Sequence, residues 1–150
     1  MKVSTDIFID QPVEKVWQAI TDIENCQAMI SAIIGLDVLY KPDNQFVGLK
    51  WKETRLMFGK EATETMWVTD AVENKYYQTR AESHGSIYIS KLSVEEKGHG
   101  TLLTMGFTGQ AQSLVMKMLS LLMTPFMKKP MVKMLDQDLQ DIKAFLEQAK

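Results

Sequence analysis

Cysteine is almost missing from this chain. The one example, Cys26, cannot close an internal disulfide, which fits a reducing compartment. Histidine is nearly as scarce. His84 and His99 both sit beside glycines in expected turns, and neither belongs to an HxxxH pattern. With no CxxC pair and no acidic cluster, the sequence offers no metal site and calls for no cofactor. Gly-rich phosphate loops are absent too, since Gly98-His-Gly100 reads as a hairpin turn. A net charge of −2 and a pI near 5.7 argue against nucleic acid, because phosphate binding needs grouped Lys and Arg. No long apolar run is present either. The best one, residues 114–127, is broken by Lys117 and Pro125 and is shorter than the ~20 residues that span a bilayer. The opening MKVSTDIFID is too polar for a secretory signal, so a cytoplasmic location is expected.

What the chain does have is apolar residues at 45% and charged residues at 24%, the balance of an ordinary globule. Its 150 residues suit one domain, which at this size buries roughly 68–70% of its unfolded surface and needs no staple. Val3 to Ile9 alternates as a strand. Pro12 suits a first helical turn, capped by Asp10 or Gln11, and Val13, Val16, Trp17 and Ile20 form one helical face. A second short helix is expected over 22–30, with Gly35 closing this patch. Six strands then follow: 36–40 (which can begin as early as Ala32), 46–58, 61–69, 76–83, 86–94 and 101–108. Their turns are polar or glycine-bearing, and successive hairpins imply an antiparallel meander.

The last forty residues end the chain in helix. Met131, Met134, Leu135, Leu139, Ile142, Leu146 and Ala149 recur on steps of three and four, which makes one buried stripe. Unbroken from 112 to 149, such a helix would run about 57 Å at ~1.5 Å per residue and overhang a domain whose radius of gyration is ~15 Å. Pro125 and Pro130 therefore predict a break, giving helices at 112–123 and 126–149, with Thr124 as N-cap and Pro125 as first helical residue. The first piece, LVMKMLSLLM at 114–123, is apolar nearly all round. It lies deep, or it offers a flap to a ligand, a partner or a membrane.

The stretch Ile9-Asp-Gln-Pro-Val-Glu-Lys-Val-Trp-Gln-Ala-Ile-Thr-Asp resembles the opening of the START-like (SRPBCC) superfamily, in its polyketide cyclase/dehydrase and lipid-transport branch. Gly48 with Trp51 and Arg55, and the closing Asp138-Leu139, Ile142-Lys143 and Leu146-Glu147, are similar to that group as well. The resemblance covers essentially the whole chain. It implies an α+β helix-grip fold: a seven-stranded antiparallel sheet curled around a long C-terminal helix, two short helices after the first strand, and an internal cavity. The opening is informative about fold and almost silent about ligand.

Alternation along the longest strand sets Leu49, Trp51, Glu53, Arg55 and Met57 on one face, the one expected inside. Glu53 and Arg55 then anchor a ligand's carboxylate, hydroxyl or carbonyl, or else form a structural ion pair with a neighbouring strand, for example with Glu64. On the next strand Ala62, Glu64, Met66 and Val68 form the more apolar face, although Trp67 could equally point in. Tyr77, Thr79 and Tyr88 add hydroxyls or merely pack. Seven of the eleven methionines fall between Met105 and Met134, where they fill a core or line a greasy cavity. The expected ligand-binding set is Trp51, Glu53, Arg55, Glu64, Met66, Tyr77, Tyr88, Met105, Phe107, Met131, Met134 and Leu135. No residue is nominated as catalytic, and Cys26 reads as a packing residue. The partner expected is a hydrophobic small molecule such as a lipid, isoprenoid or polyketide, held by a carrier. A cyclase or dehydratase using the cavity Glu and Arg is the alternative. A further one is a module that docks on a protein or membrane through 114–127.

Overall fold

A computed structural model describes residues 1–83 and 85–148. The expected turn position of His84 and the last residue of the helical stripe, Ala149, lie outside the described residues. Strand β1 (Lys2–Ile9) leads into helix α1 (Val13–Thr21), a 3-10 turn (Ile23–Asn25) and the short helix α2 (Cys26–Met29). Strands β2 (Ile33–Tyr40), β3 (Lys50–Met57), β4 (Lys60–Val72), β5 (Tyr76–Ser83), β6 (Ser86–Lys97) and β7 (Gly100–Ala111) follow, and α3 (Leu114–Gln148) ends the chain. The seven strands form one antiparallel sheet in the order β1-β7-β6-β5-β4-β3-β2. The meander is therefore continuous from β2 to β7, and only β1 returns from afar to close on β7. With two short helices after β1 and one long helix at the end, this is the helix-grip arrangement.

Local chemistry sets the hairpins. Met57 pairs with Lys60, which leaves Phe58 and Gly59 as a two-residue turn with φ of 54° and 79°. Positive φ at both positions is the primed turn that matches strand twist, and Gly59 takes its share without strain. Strand β3 begins at Lys50 rather than at 46, because Leu49 N–H donates to the Phe46 carbonyl in a turn and Gly48 sits at φ 98°. Gly35 does not close the helical patch. It lies inside β2 at a register shift, and β2 starts at Ile33. Pro12 occupies the cap of α1 rather than its first turn, with no side-chain cap. Gln11 instead turns inward, donating to the Leu146 carbonyl, while its own carbonyl accepts from Thr101 Oγ1.

The break expected in the terminal helix does not occur. Helix α3 runs unbroken through Pro125 and Pro130 for 35 residues, about 52 Å at ~1.5 Å each. Each proline withdraws one backbone donor, and the helix absorbs that local cost without ending. The N-cap is Ser113, not Thr124: Ser113 Oγ accepts from Met116 N–H, and Lys117 N–H donates to the Ser113 carbonyl. Thr124 sits inside the helix with its hydroxyl donated back to the Ser120 carbonyl at 2.6 Å. The overhang is real as well. Every buried residue of α3 lies from Met131 onward, while Leu114, Leu121 and Phe126 are 75–80% exposed.

The two halves of α3 are held differently. Thr5 Oγ1 donates to Asp136, Ser31 N–H and Oγ to Asp141, Lys143 to the Phe8 carbonyl, and Asp10 N–H to Glu147. Among the described residues no side-chain hydrogen bond ties positions 114–130 to the sheet. That half rests on apolar contact alone.

Candidate functional site

Between the concave face of the sheet and α3 lies a cavity of about 500 Å³. Alternation on β3 carries Trp51, Glu53, Arg55 and Met57 to its wall, as expected, and β4 adds Ala62, Glu64 and Met66. Trp67 turns outward, where Lys50 Nζ lies 5.7 Å from its ring. Tyr77, Tyr88, Met105 and Phe107 come from β5, β6 and β7, and Met131, Met134 and Leu135 from α3. The structure thus gathers all twelve expected residues around one space. Leu119 and Met123 line it yet remain about half exposed (48% and 52%), so the cavity opens beneath the unpinned half of α3.

The polar part of the wall centres on Arg55. Its Nε donates to Glu53 Oε2 at 3.2 Å and its Nη1 to Asp138 Oδ2 at 3.0 Å. The structural ion pair with Glu64 is not formed. Arg55 faces Ala62 across the strands, and Glu53 stands opposite Glu64. Glu64 makes no hydrogen bond or ion pair among the described residues. Trp51 Nε1 donates to the other oxygen of Glu53 at 3.4 Å. Asp138 is only 3% exposed, and its Oδ1 is buried with no hydrogen-bond partner. Burial pushes the Asp138 carboxyl above the ordinary range; Arg55 opposes this, and nearby Glu53 adds to it. Burial also works against charge on Arg55, but Asp138 and Glu53 outweigh it and keep the guanidinium charged.

Asp138 is missing from the expected set because strand alternation alone nominated the polar groups. Its signal lay in the helix: it is three residues past Leu135 and four before Ile142, on the stripe that faces the core. A carboxylate at such a position needs a buried partner, and Arg55 is that partner.

The tyrosines divide. Tyr77 presents its ring, but its hydroxyl donates to the Ile20 carbonyl at 3.0 Å, and burial raises its pKa. Tyr88 stacks on Phe107, with ring centroids 5.7 Å apart and planes 20° off parallel. Its hydroxyl has no partner among the described residues. Cys26 lies on the wall with its thiol pushed up to about 12, first by burial and then by Glu53, so it is a neutral packing group rather than a nucleophile. His99, 82% exposed, pairs with Asp10 at the surface. Among the described residues no cluster of His, Cys, Asp or Glu could hold a metal ion.

The architecture recurs in solved structures. The chain matches TTHA0849 from Thermus thermophilus with a TM-score of 0.82 at 15% identity, covering 100% of this chain and 99% of that one. A START superfamily protein from Mycobacterium smegmatis matches with a TM-score of 0.83 at 17% identity over 99% of each chain. The di-domain ARO/CYC StfQ from the steffimycin biosynthetic pathway matches with a TM-score of 0.79 at 10% identity, over 99% of this chain and 51% of that one. At these identities the likeness is one of fold. A search of curated protein sequences finds no match. The family model for polyketide cyclase / dehydrase and lipid transport matches residues 1–147, and the chain belongs to that family.

Proposed function

We propose that the protein is a carrier for a hydrophobic small molecule, a lipid, isoprenoid or polyketide-like compound, held between the sheet and α3. The observation that supports this most directly is the cavity of about 500 Å³, apolar over most of its wall, with a compact polar group of Arg55, Glu53, Asp138 and Glu64 on one part of it. Apolar burial at ~25 cal/mol per Å² supplies the affinity, and the polar group orients one end of the ligand. The twelve wall residues named from sequence are the proposed binding set. Membership of a family described by lipid transport and polyketide cyclisation agrees with such a ligand.

Helix α3 adds a route of delivery. Its outer face at 114–126 is apolar and exposed, Lys117 falls within that segment and Lys128, Lys129 and Lys133 follow it, and no acidic residue occurs between 112 and 135. No described helix is long and apolar enough to cross a membrane. An apolar face with a basic border suits a helix lying on an anionic lipid surface. The carrier would take up or release its cargo there, through the half of α3 that only apolar contacts hold.

A cyclase or dehydratase is the second reading, favoured by one observation: Asp138 is a buried carboxyl beside Arg55 among the cavity-lining residues, and burial raises its pKa, as suits a group that moves a proton. The deciding experiment is organic extraction of the purified protein followed by mass spectrometry. A carrier yields a co-purified apolar molecule, recovered unchanged after incubation. An empty extract, with no binding of added lipids, overturns the carrier reading. Conversion of the bound compound that stops in Asp138→Asn while binding persists would establish the enzyme.

A further inference from the structure

Every methionine except Met118 lines the cavity, ten of the eleven in the chain. They arrive from all sides: the N-terminus, α2, β3, β4, β7 and α3. The solid part of the core is built otherwise. Its fully shut side chains, such as Ile9, Val16, Val68, Leu103 and Leu139, include no methionine. Methionine is therefore not general core filler here; it is placed where the sheet and α3 enclose a hollow. An unbranched thioether chain has three rotatable bonds and adapts to irregular gaps, whereas Ile and Val are stiff at χ1. Four of the wall's five isoleucines, Ile20, Ile23, Ile30 and Ile33, come from the stretch between α1 and β2, so stiffness is confined to one side. The polar groups set no rigid template either. Arg55, Glu53 and Asp138 are held by one another, and the Tyr77 hydroxyl by the Ile20 carbonyl. The hydroxyls of Ser86 and Ser90 can turn to donate or accept. Above the hollow, α3 carries no buried residue before Met131.

We propose that the cavity is compliant: it takes apolar molecules of different outline, linear, branched or flat, with similar affinity, and the methionines of its wall set that breadth. This rests on the carrier reading and describes its cargo. A rigid apolar pocket separates ligands that differ by one methylene by roughly 10–200-fold. A gap in such a pocket forfeits contacts, and an overlap forces strain. A wall that re-packs closes the gap with its own side chains. Affinity then follows the apolar area buried rather than the shape of the ligand. Thioether sulfur also sits favourably at the edge of an aromatic ring, so a flat ligand is received as well as a chain.

The test is calorimetric titration with dodecanol, farnesol and 9-anthracenemethanol, which share a hydroxyl end and differ in having a linear, a branched and a flat body. Each Kd is corrected for the alcohol's own transfer from water to octanol. The corrected values should agree within about tenfold, the low end of what a rigid pocket imposes for a single methylene. Each alcohol should displace the other two. Met66→Leu, Met105→Leu and Met127→Leu together keep the wall apolar and nearly conserve its volume, but replace the freely turning chains by branched ones. The spread among the three alcohols should then widen by at least about tenfold. Melting curves confirm that the triple variant is folded. Should it not be, Met127→Leu alone, on the half of α3 that carries no buried residue, gives a smaller widening in the same direction. A parent that prefers one alcohol by more than that margin, alcohols that fail to displace one another, or variants that leave the spread unchanged overturn the compliant cavity while the carrier reading stands. If none of the three binds, the carrier reading falls and takes this inference with it.

Discussion

Arg55 stands between two carboxylates, with Glu53 at 3.2 Å and Asp138 at 3.0 Å, and all three side chains are at most 16% exposed. Removing the cation would strand both charges in the interior. Breaking a buried pair from one side costs about 3–5 kcal/mol, mostly the penalty of the charge left behind. Arg55→Met should therefore lower the unfolding free energy by about that amount in urea titrations. Adding Asp138→Asn to it removes one of the stranded charges. The double variant should then be more stable than Arg55→Met alone, although each change by itself destabilises. Additive losses would show that the two side chains do not act as a pair. At this scale the sequence was half legible. Period-2 alternation placed Glu53, Arg55 and Glu64 on the wall because a strand has only two faces. It could not show which carboxylate Arg55 would take, since that depends on how α3 lies across the sheet, a contact between residues 83 positions apart.

The elements show the same division between local and distant causes. Turn chemistry and hydrophobic period located all seven strands to within a few residues, because hairpins are set by neighbours in sequence. At α3 the prolines misled. Lost donors and an overhang favour a break only while the overhanging half has nothing to do. Positions 114–127 cover the cavity with Met116, Leu119, Met123 and Met127 and expose Leu114, Leu121, Leu122 and Phe126 on the other side. A helix that lies over a hollow and faces outward on an apolar side has no need to stop where the sheet does. If that outer face meets anionic lipid, pelleting with phosphatidylglycerol vesicles should exceed pelleting with phosphatidylcholine vesicles and fall as salt is raised. Each lysine near the surface contributes about 1 kcal/mol. Leu121→Asp with Leu122→Asp should abolish pelleting and leave the melting temperature unchanged, since neither side chain lines the main cavity. Equal pelleting with both vesicle types, or with the variant, would exclude this surface as the contact.

Taken whole, the molecule trades packing for space. Protein interiors fill to crystal-like density, and a void forfeits the contacts its lining would make. Here about 500 Å³ is kept open beside a core that is otherwise shut, with Ile9, Val16, Leu103 and Leu139 at 0% exposure. The empty protein should therefore be less stable than its fold permits, and anything that fills the hollow should recover part of the difference. A ligand does so by mass action, with about 2.7 kcal/mol at a hundred times its Kd. A side chain can do so permanently. Ser90 lies on β6 with its side chain on the cavity wall, opposite Phe107 and Thr79 in the neighbouring strands. Ser90→Met would place a long, adaptable apolar chain there without adding a branch at Cβ. In a chain of this size 1 kcal/mol moves the melting temperature by about 2–4 °C. Scanning calorimetry should find the empty Ser90→Met protein melting higher than the parent by about that step. The rise on adding an amphiphile should shrink in the same variant. If the hollow exists for a ligand, the two changes must come together: stability gained without ligand, and response to ligand lost. A variant that melts higher yet still responds fully to the amphiphile would mean that the ligand sits elsewhere, and the carrier reading of this cavity would have to be given up.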